Sequence, residues 1–211
     1  MMTGGKTARG MVLTGILAVV LVLGGCAQKD SGKGPIKIGG LFSITGPNSF
    51  LGEPERNSMQ LLAEQINAKG GINGRPLELV IYDDEGDESK AVLNANKLIE
   101  KDQVLAIVGP SLTGTTMAVI PIVEKAEVPL ISCAAGVKIT TPVKKWVFKT
   151  PQTDVMAVAK IYEFMKRQGV RKIALLTVSN AFGDSGREQL LEQAAGVGLQ
   201  VVGDEKFGAG D

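Results

Sequence analysis

The sequence predicts an α/β protein in which parallel, doubly wound sheets form two lobes. Short apolar runs typical of strands alternate with helical stripes from residue 36 onward. Strands that alternate with helices of about 10–15 residues are typical of βαβ units and parallel sheets. Residues 142–154 contain Pro142 and Pro151 and interrupt this alternation, which predicts a crossover from one lobe to the other.

The first lobe is predicted to span residues 36–141. Its strands are expected at four apolar runs, 36–42, 77–82, 104–108 and 128–132. Its helices are expected where apolar residues recur every three or four positions, at 59–66, 91–99 and 114–126. Asp87 and Glu88 favour the start of the second helix, because acidic groups stabilise the positive end of the helix dipole. Pro121 is expected to kink or loosen the third helix.

The second α/β lobe is predicted to begin at residue 155 and to continue to residue 211. A helical stripe covers 155–162 and closes at Gly169, a residue type favoured at helix ends. A strand is expected at 172–178, a helix around 190–194 and a further strand from residue 199.

The first 25 residues have the pattern of an export signal. Lys6 and Arg9 give a cationic start, and the apolar run 11–23 follows. At about 1.5 Å per residue this run reaches only about 20 Å, short of the roughly 30 Å hydrocarbon core of a bilayer. The polar, glycine-rich segment 26–35 is predicted to be a flexible tether.

The four residues LGGC, which end at Cys26, resemble the lipobox of bacterial lipoproteins. The resemblance implies that residues 1–25 are a lipoprotein signal peptide and that Cys26 becomes an acylated N-terminus. The protein would then be exported, anchored to a membrane by lipid and exposed to the periplasm or the cell exterior. The alternative is an uncleaved anchor beside a free, buried cysteine.

Composition and missing motifs exclude several functions. The chain has no histidine, only two cysteines and a net charge of +1, which argues against a histidine-based catalytic site, a cysteine metal site and nucleic-acid binding. No GxGxxG, P-loop or GxSxG motif is present. The acidic run 83–88 lacks the spacing of a calcium loop and is interpreted as a solvated strand end. We expect no metal, no cofactor and no enzymatic activity.

The predicted ligand site lies where parallel strands of the first lobe end, because ligands of open α/β sheets bind beyond the carboxyl ends of the strands. The loops 43–52, 109–113 and 132–136 occupy these positions and are rich in glycine and hydroxyl residues. Thr113 is predicted to be the N-cap of the following helix, whose free N–H groups would bind an anion such as a carboxylate. The alternative is that Thr113 only caps its helix.

Several stretches resemble the branched-chain amino acid-binding proteins of bacterial ABC transporters. These are INAKGGINGRPL with the following YDD, LFSITG, VGP with its hydroxyl run, and VPLIS, and the similarity extends over most of residues 36–207. The resemblance implies the type I periplasmic binding fold, in which two α/β lobes close on a ligand. It also implies that only the N-terminal half of such a protein is present, so that we expect a truncated fragment.

The resemblance also implies roles for particular residues. The α-carboxylate of the ligand would bind the Thr113 hydroxyl, with Leu112 beside it. Ala134 and Gly136 correspond to the positions that hold the α-ammonium, although Gly136 lacks the hydroxyl found there in the family. Phe182 corresponds to an aromatic residue of a loop in the second lobe.

The implied function is a lipid-anchored receptor that captures an amino acid, branched-chain or otherwise apolar, and delivers it to the permease and ATPase subunits of an ABC transporter. The same fold also serves sensory ligand-binding modules that regulate a partner protein, which is the alternative. In the family, the cysteine positions of a disulfide fall on Gly86 and Leu112, so the resemblance implies that this bridge is missing.

Overall fold

A computed structural model describes residues 34–208 and 210. The predicted signal peptide, Cys26 and most of the predicted tether lie outside the described residues. Within the described part of the chain, no helix has both the length and the apolar character needed to cross a membrane.

Five parallel strands form the first sheet, in the order β2-β1-β3-β4-β5. These strands are β1 (Ile36–Phe42), β2 (Leu77–Asp83), β3 (Ala106–Val108), β4 (Leu130–Ser132) and β5 (Val147–Lys149). The predicted strands of the first lobe are therefore confirmed, with β3 and β4 two residues shorter at their start. The strand β5 lies inside the predicted crossover and pairs with β4, so the first sheet extends to Lys149.

The helices beside this sheet are α1 (Ser49–Ala68), α2 (Glu88–Asn96) with a π-helical continuation (Lys97–Lys101), and α3 (Thr113–Ala126). The helix α2 begins as predicted, since the Asp87 side chain accepts a hydrogen bond from the Lys90 N–H at 2.8 Å. The helix α1 begins ten residues before the predicted stripe. A Cβ on Gly52 would lie 2.2 Å from the Ser43 carbonyl oxygen, so only glycine lets the first turns of α1 pack against that backbone.

The core of this part of the protein lies between the sheet and the helices α2 and α3. Leu41, Leu98, Ile107, Val119 and Leu130 are fully buried there. Each lies on a different strand or helix, and all of them are apolar positions of the predicted elements. Their burial fixes the register that brings the ends of β1, β3 and β4 to one edge of the sheet.

The remaining elements form a second α/β layer. They are α4 (Asp154–Arg167), β6 (Lys172–Val178), α5 (Ala181–Ala194) and β7 (Gln200–Phe207), with β6 and β7 parallel. Its core is a separate cluster around Tyr162, whose hydroxyl donates to the Leu190 carbonyl at 2.6 Å. The strand β6 has the predicted bounds, and α5 begins nine residues before the predicted apolar stripe.

Candidate ligand-binding site

Three loops meet at the carboxyl edge of the first sheet. The strands β1, β3 and β4 are neighbours in the sheet and run in the same direction, so the segments that follow them come together at one edge. Hydrogen bonds connect these segments directly, because the Ser43 N–H donates to the Ser111 hydroxyl at 3.1 Å and the Cys133 N–H donates to the Pro110 carbonyl at 3.1 Å. This edge is where the sequence predicts the ligand.

Thr113 lies at the centre of this edge, as the first residue of α3. Its side chain is buried, with 5% of its surface exposed, and its Oγ1 has no hydrogen-bond partner in the described part of the protein. A buried hydroxyl without a partner is costly, by about 1–3 kcal/mol. Such an atom at the start of a helix is available to a ligand.

The prediction that Thr113 is the N-cap was wrong. Leu112 holds the N-cap position, with extended backbone angles (φ −109°, ψ 152°), and its carbonyl accepts the first helical hydrogen bond, from the Thr116 N–H at 2.9 Å. A leucine side chain offers no acceptor, so no side chain caps the first turn of α3. The first-turn N–H groups of α3 therefore have no capping side chain. The Glu88 carboxylate lies beside this turn, because a Cβ on Gly114 would be 2.5 Å from Glu88 Oε1.

Gly136 lies directly against Thr113. A Cβ built on Gly136 would be 2.4 Å from the Cγ2 and 3.2 Å from the Oγ1 of Thr113. The structure thus brings together two of the residues that the sequence predicted for the site. A side chain at position 136 would meet the Thr113 methyl group, so one of the two residues would have to shift.

Ala134 belongs to the same loop and is buried, with 4% of its surface exposed. Its N–H donates to the Ser132 hydroxyl at 3.1 Å, and that hydroxyl lies 2.8 Å from the Thr116 hydroxyl of α3. The pair of buried hydroxyls ties the end of β4 to α3. It explains why two small polar residues occur in otherwise apolar elements.

Leu112 is half-buried and contacts the segment that follows β2. A Cβ on Gly86 would lie 3.3 Å from Leu112 Cδ1. These are the two positions at which the resemblance places a disulfide in other members of the family, and here they are neighbours in space without cysteines.

Phe182 lies on another element. The resemblance placed it in a loop, but the structure places it in the first turn of α5, where 52% of its surface is exposed. The Asn180 side chain caps this helix by accepting from the Gly183 N–H at 2.9 Å. The helix α5 is joined to the Gly136 loop one residue further on, because the Val137 N–H donates to the Ser185 hydroxyl at 3.1 Å.

Sequence reasoning missed two acids behind the loops, the half-buried Glu55 and the fully buried Asp84. The Ser111 hydroxyl donates to Glu55 at 2.5 Å, and the Ser43 hydroxyl donates to Asp84 at 2.7 Å. Burial raises the pKa of Glu55, and the nearby Asp84 charge adds to this rise while the Ser111 hydrogen bond opposes it. The serines at strand ends were visible in the sequence, but the position of Glu55 within α1 gave no signal.

The interpretation of residues 83–88 as a solvated strand end was wrong for Asp84. Its side chain is fully buried, and burial raises its pKa against the opposing hydrogen bonds from Ser43 and Gly86. The pKa of Asp83 shifts in the opposite direction. Burial pushes its pKa upward, but hydrogen bonds from Thr45, Glu85 and Ile44 bring that pKa below its ordinary value. Both carboxylates are used to hold loops in place.

Cys133 follows β4 and is partly buried. Burial, reinforced by the Glu55 charge, raises the pKa of its thiol to about 12. A thiol with that pKa is almost entirely protonated at neutral pH and is a poor nucleophile. The thiol beside this edge is therefore unsuited to covalent chemistry at neutral pH. Among the described residues, no group of three or more acidic or cysteine side chains could hold a metal ion.

Comparison with known proteins identifies the family. Residues 35–211 match the family model described as periplasmic binding protein. A leucine-, isoleucine-, valine-, threonine- and alanine-binding protein of Pseudomonas aeruginosa is 31% identical over 197 residues, which cover 92% of this chain and 52% of that protein. The chain belongs to the periplasmic binding proteins, in the group that includes the branched-chain amino acid-binding proteins. It spans about half the length of the curated relative.

Two solved structures of substrate-binding proteins have a similar fold. The branched-chain amino acid transporter substrate-binding protein LivJ of Streptococcus pneumoniae, in complex with isoleucine, has a TM-score of 0.77 and 29% identity, covering 84% of this chain and 51% of LivJ. A solute-binding protein of an ABC transporter from Rhodopseudomonas palustris, in complex with 3,4-dihydroxybenzoic acid, has a TM-score of 0.73 and 26% identity, covering 82% of this chain and 47% of that protein. The type I periplasmic binding fold that the resemblance implies is confirmed.

Proposed function

We propose that this chain is part of an extracytoplasmic substrate-binding protein of an ABC transporter and that the ligand is an amino acid, branched-chain or otherwise apolar. The observation that carries the proposal is the buried Thr113 hydroxyl, which has no partner and lies at the uncapped start of α3. The α-carboxylate of the ligand would accept hydrogen bonds from this hydroxyl and from the first-turn N–H groups of the helix.

The helix dipole and the Thr113 hydroxyl favour an anionic group on the ligand, and the Glu88 carboxylate beside Gly114 opposes it. The N-terminal end of a 14-residue helix carries a partial positive charge, and the Thr113 hydroxyl can add a donor. A carboxylate loses its hydrogen bonds to water when it binds. Charge-assisted hydrogen bonds to the protein replace them and contribute about 1.5–3 kcal/mol each. An uncharged ligand would gain less from the same groups.

The apolar part of the ligand is supported by the neighbouring side chains and by the relatives. Leu112 adjoins Thr113, and Phe182 offers an exposed aromatic ring on α5. The Pseudomonas relative is named for leucine, isoleucine, valine, threonine and alanine, and LivJ was solved with isoleucine. The complex with 3,4-dihydroxybenzoic acid involves a carboxylate without an α-ammonium group, so it supplies the competing ligand class for the test.

The proposed protein works by binding and does not break bonds. A ligand that contacts both lobes stabilises the closed arrangement over the open one, and the closed form would be presented to the permease and ATPase subunits. The location proposed is the cell envelope, with acylated Cys26 as the anchor. Mass spectrometry of the membrane-bound protein should find lipid on Cys26 and no residues 1–25, and an intact Met1 would contradict the anchor.

Calorimetric titration tests the ligand class. The longest protein product that contains this chain is titrated with L-leucine, L-isoleucine, L-valine, L-threonine and L-alanine, with isoleucinamide as the control that lacks the carboxylate. We expect binding of at least one amino acid and at least tenfold weaker binding of the amide. Binding of 3,4-dihydroxybenzoate but of no amino acid would contradict the amino-acid proposal, and equal binding of isoleucine and isoleucinamide would contradict the carboxylate site.

A further inference from the structure

Lys149, which no sequence motif singled out, lies beside the Gly136 loop. It is the last residue of β5, and its register partner in β4 is Ser132, the residue from which the loop starts. Its Nζ donates to the Ala135 carbonyl at 2.5 Å and lies 3.5 Å from the Gly136 carbonyl. The ammonium therefore spans from the end of β5 to the loop that carries Ala134 and Gly136.

The direct partners of this ammonium are backbone carbonyls. In the described part of the chain, no carboxylate oxygen forms an ion pair with Lys149 Nζ at 4.0 Å or less. Burial lowers the pKa of Lys149, and the charge of Asp154 opposes that change. An ammonium is strongly hydrated, so its loss of water is compensated here mainly by the two carbonyl groups.

The loop is also held from its other side. The Val137 N–H donates to the Ser185 hydroxyl of α5 at 3.1 Å, and that hydroxyl donates to Asp154 at 2.5 Å. Ser185 and Asp154 are both buried. Residues 135–137 are thus fixed between Lys149 of the first sheet and Ser185 of the second layer, with Gly136 against Thr113 in the middle.

We propose that Lys149 is a positioning residue of the ligand site. Its ammonium holds the Ala135 and Gly136 carbonyls, which keeps Gly136 packed against Thr113 and keeps the wall of the carboxylate site in place. The inference rests on one part of the proposed function, the binding of a ligand at Thr113. The loop-holding role itself exists without ligand.

Lys144 provides a matched control. Its Nζ also donates to backbone carbonyls, those of Lys138 at 2.8 Å and Ile139 at 3.0 Å. Lys144→Met therefore removes a lysine that holds carbonyl groups just past the site loop. Lys149→Met removes one that holds the loop itself, and Lys149→Arg keeps the charge and N–H donors.

The first measurement is amide hydrogen exchange of the ligand-free protein. In Lys149→Met we expect the Ala134 and Val137 N–H groups, which donate to Ser132 and Ser185, to exchange about tenfold faster, because loss of one charged hydrogen bond frees the loop. We expect no such change at these residues in Lys144→Met, and a return to within threefold of the parent in Lys149→Arg. Equal exchange in Lys149→Met and the parent would overturn the proposal.

The second measurement is the affinity for L-isoleucine in the longest protein product that contains the chain. We expect Lys149→Met to bind about tenfold more weakly and Lys144→Met to bind within twofold of the parent. If the parent binds another of the five amino acids instead of isoleucine, that amino acid is used in its place. If it binds none of the five, the ligand proposal fails, while the exchange experiment still decides the role of Lys149. If Lys149→Met does not fold, Lys149→Gln replaces it in both measurements, and parent-like exchange in that variant overturns the inference.

Discussion

The side chain of Thr113 lies against the backbone of Gly136 so closely that a Cβ at position 136 would be 2.4 Å from Thr113 Cγ2. Real Cβ atoms do not approach another carbon to that distance, so the two residues depend on each other. A side chain at position 136 would force Thr113 or the loop to move. The contact gives a physical reason for glycine at position 136, where the resemblance implies a hydroxyl residue in other members of the family.

Adding a side chain at position 136 should therefore destabilise the protein through Thr113. We expect Gly136→Ala to lower the free energy of unfolding by about 1–3 kcal/mol, the usual cost of overpacking. Backbone strain is not the cause, since Gly136 has an ordinary φ of −51°. Urea denaturation measures the change.

Thr113→Ser is the matched test of that cause, because it deletes the Cγ2 methyl group that the new Cβ would meet. In the Thr113→Ser background we expect Gly136→Ala to cost about 1 kcal/mol less than it does in the parent. An unchanged cost in the two backgrounds would show that the Thr113 contact is not responsible.

The unpaired hydroxyl of Thr113 should cost stability in the ligand-free protein. Thr113→Val keeps the shape of the side chain and removes an Oγ1 that has no partner. We expect the free energy of unfolding to stay the same or to rise by up to about 1 kcal/mol. Thr116→Val is the control, because the Thr116 hydroxyl is paired with Ser132 at 2.8 Å, and it should lower stability by about 1–2 kcal/mol. Equal losses in both variants would mean that Thr113 has an internal partner.

The neighbouring acids Asp83 and Asp84 should give opposite pH dependences. Burial raises the pKa of Asp84, so its protonated form is favoured in the fold, and its contribution to stability is lost as pH rises from about 4 through the raised pKa. The net lowering of the Asp83 pKa by its hydrogen bonds has the reverse effect. Its contribution is present above about pH 4 and is lost as pH falls through the lowered pKa.

Urea denaturation of Asp83→Asn and Asp84→Asn between about pH 3 and pH 7 checks these signs. Relative to the parent, Asp84→Asn should become more stable as pH rises. Asp83→Asn should become less stable, by about 1–2 kcal/mol at neutral pH, since it loses charge-assisted hydrogen bonds. Parallel curves for the two variants would contradict the assignment.

The Cys133 thiol should react slowly despite its place near the site. Its pKa of about 12 leaves very little thiolate at pH 8, and thiolate is the reactive form. We expect alkylation of Cys133 by iodoacetamide at pH 8 to be at least tenfold slower in the folded protein than in urea, measured by mass spectrometry of the peptide that contains Cys133. Equal rates would mean that the thiol is exposed and has an ordinary pKa.

The sequence predicted the fold better than it predicted the contacts of the site. The strands β1 and β6 have their predicted bounds because their apolar runs are long and end abruptly. The strand β5 was missed because it has only three residues and lies in a segment that looked irregular. The early start of α1 was missed because it depends on packing of Gly52 against the backbone of Ser43. Ser43 lies outside the helix, so this contact leaves no trace in the helical periodicity.

The candidate site was located from the ends of parallel strands and from the family resemblance, and Thr113 and Gly136 indeed lie together. The burial of Asp84 could not be predicted, because it depends on Ser43 and Gly86 closing over a carboxylate that looks solvated in the sequence. The same holds for Lys149, whose partners are backbone carbonyls and leave no pattern in side-chain identities.

The most direct test of the account is the ligand affinity of Thr113→Val, compared by calorimetry with Asp83→Asn and the parent in the longest protein product that contains this chain. Loss of a hydrogen bond to a charged group costs about 1.5–3 kcal/mol, and about 1.4 kcal/mol corresponds to a factor of ten. Thr113→Val should bind the amino acid about 10- to 100-fold more weakly, and Asp83→Asn should bind it much like the parent. Parent-like affinity in Thr113→Val together with weaker binding in Asp83→Asn would contradict the proposed site and would show that the ligand does not bind at the Thr113 loop.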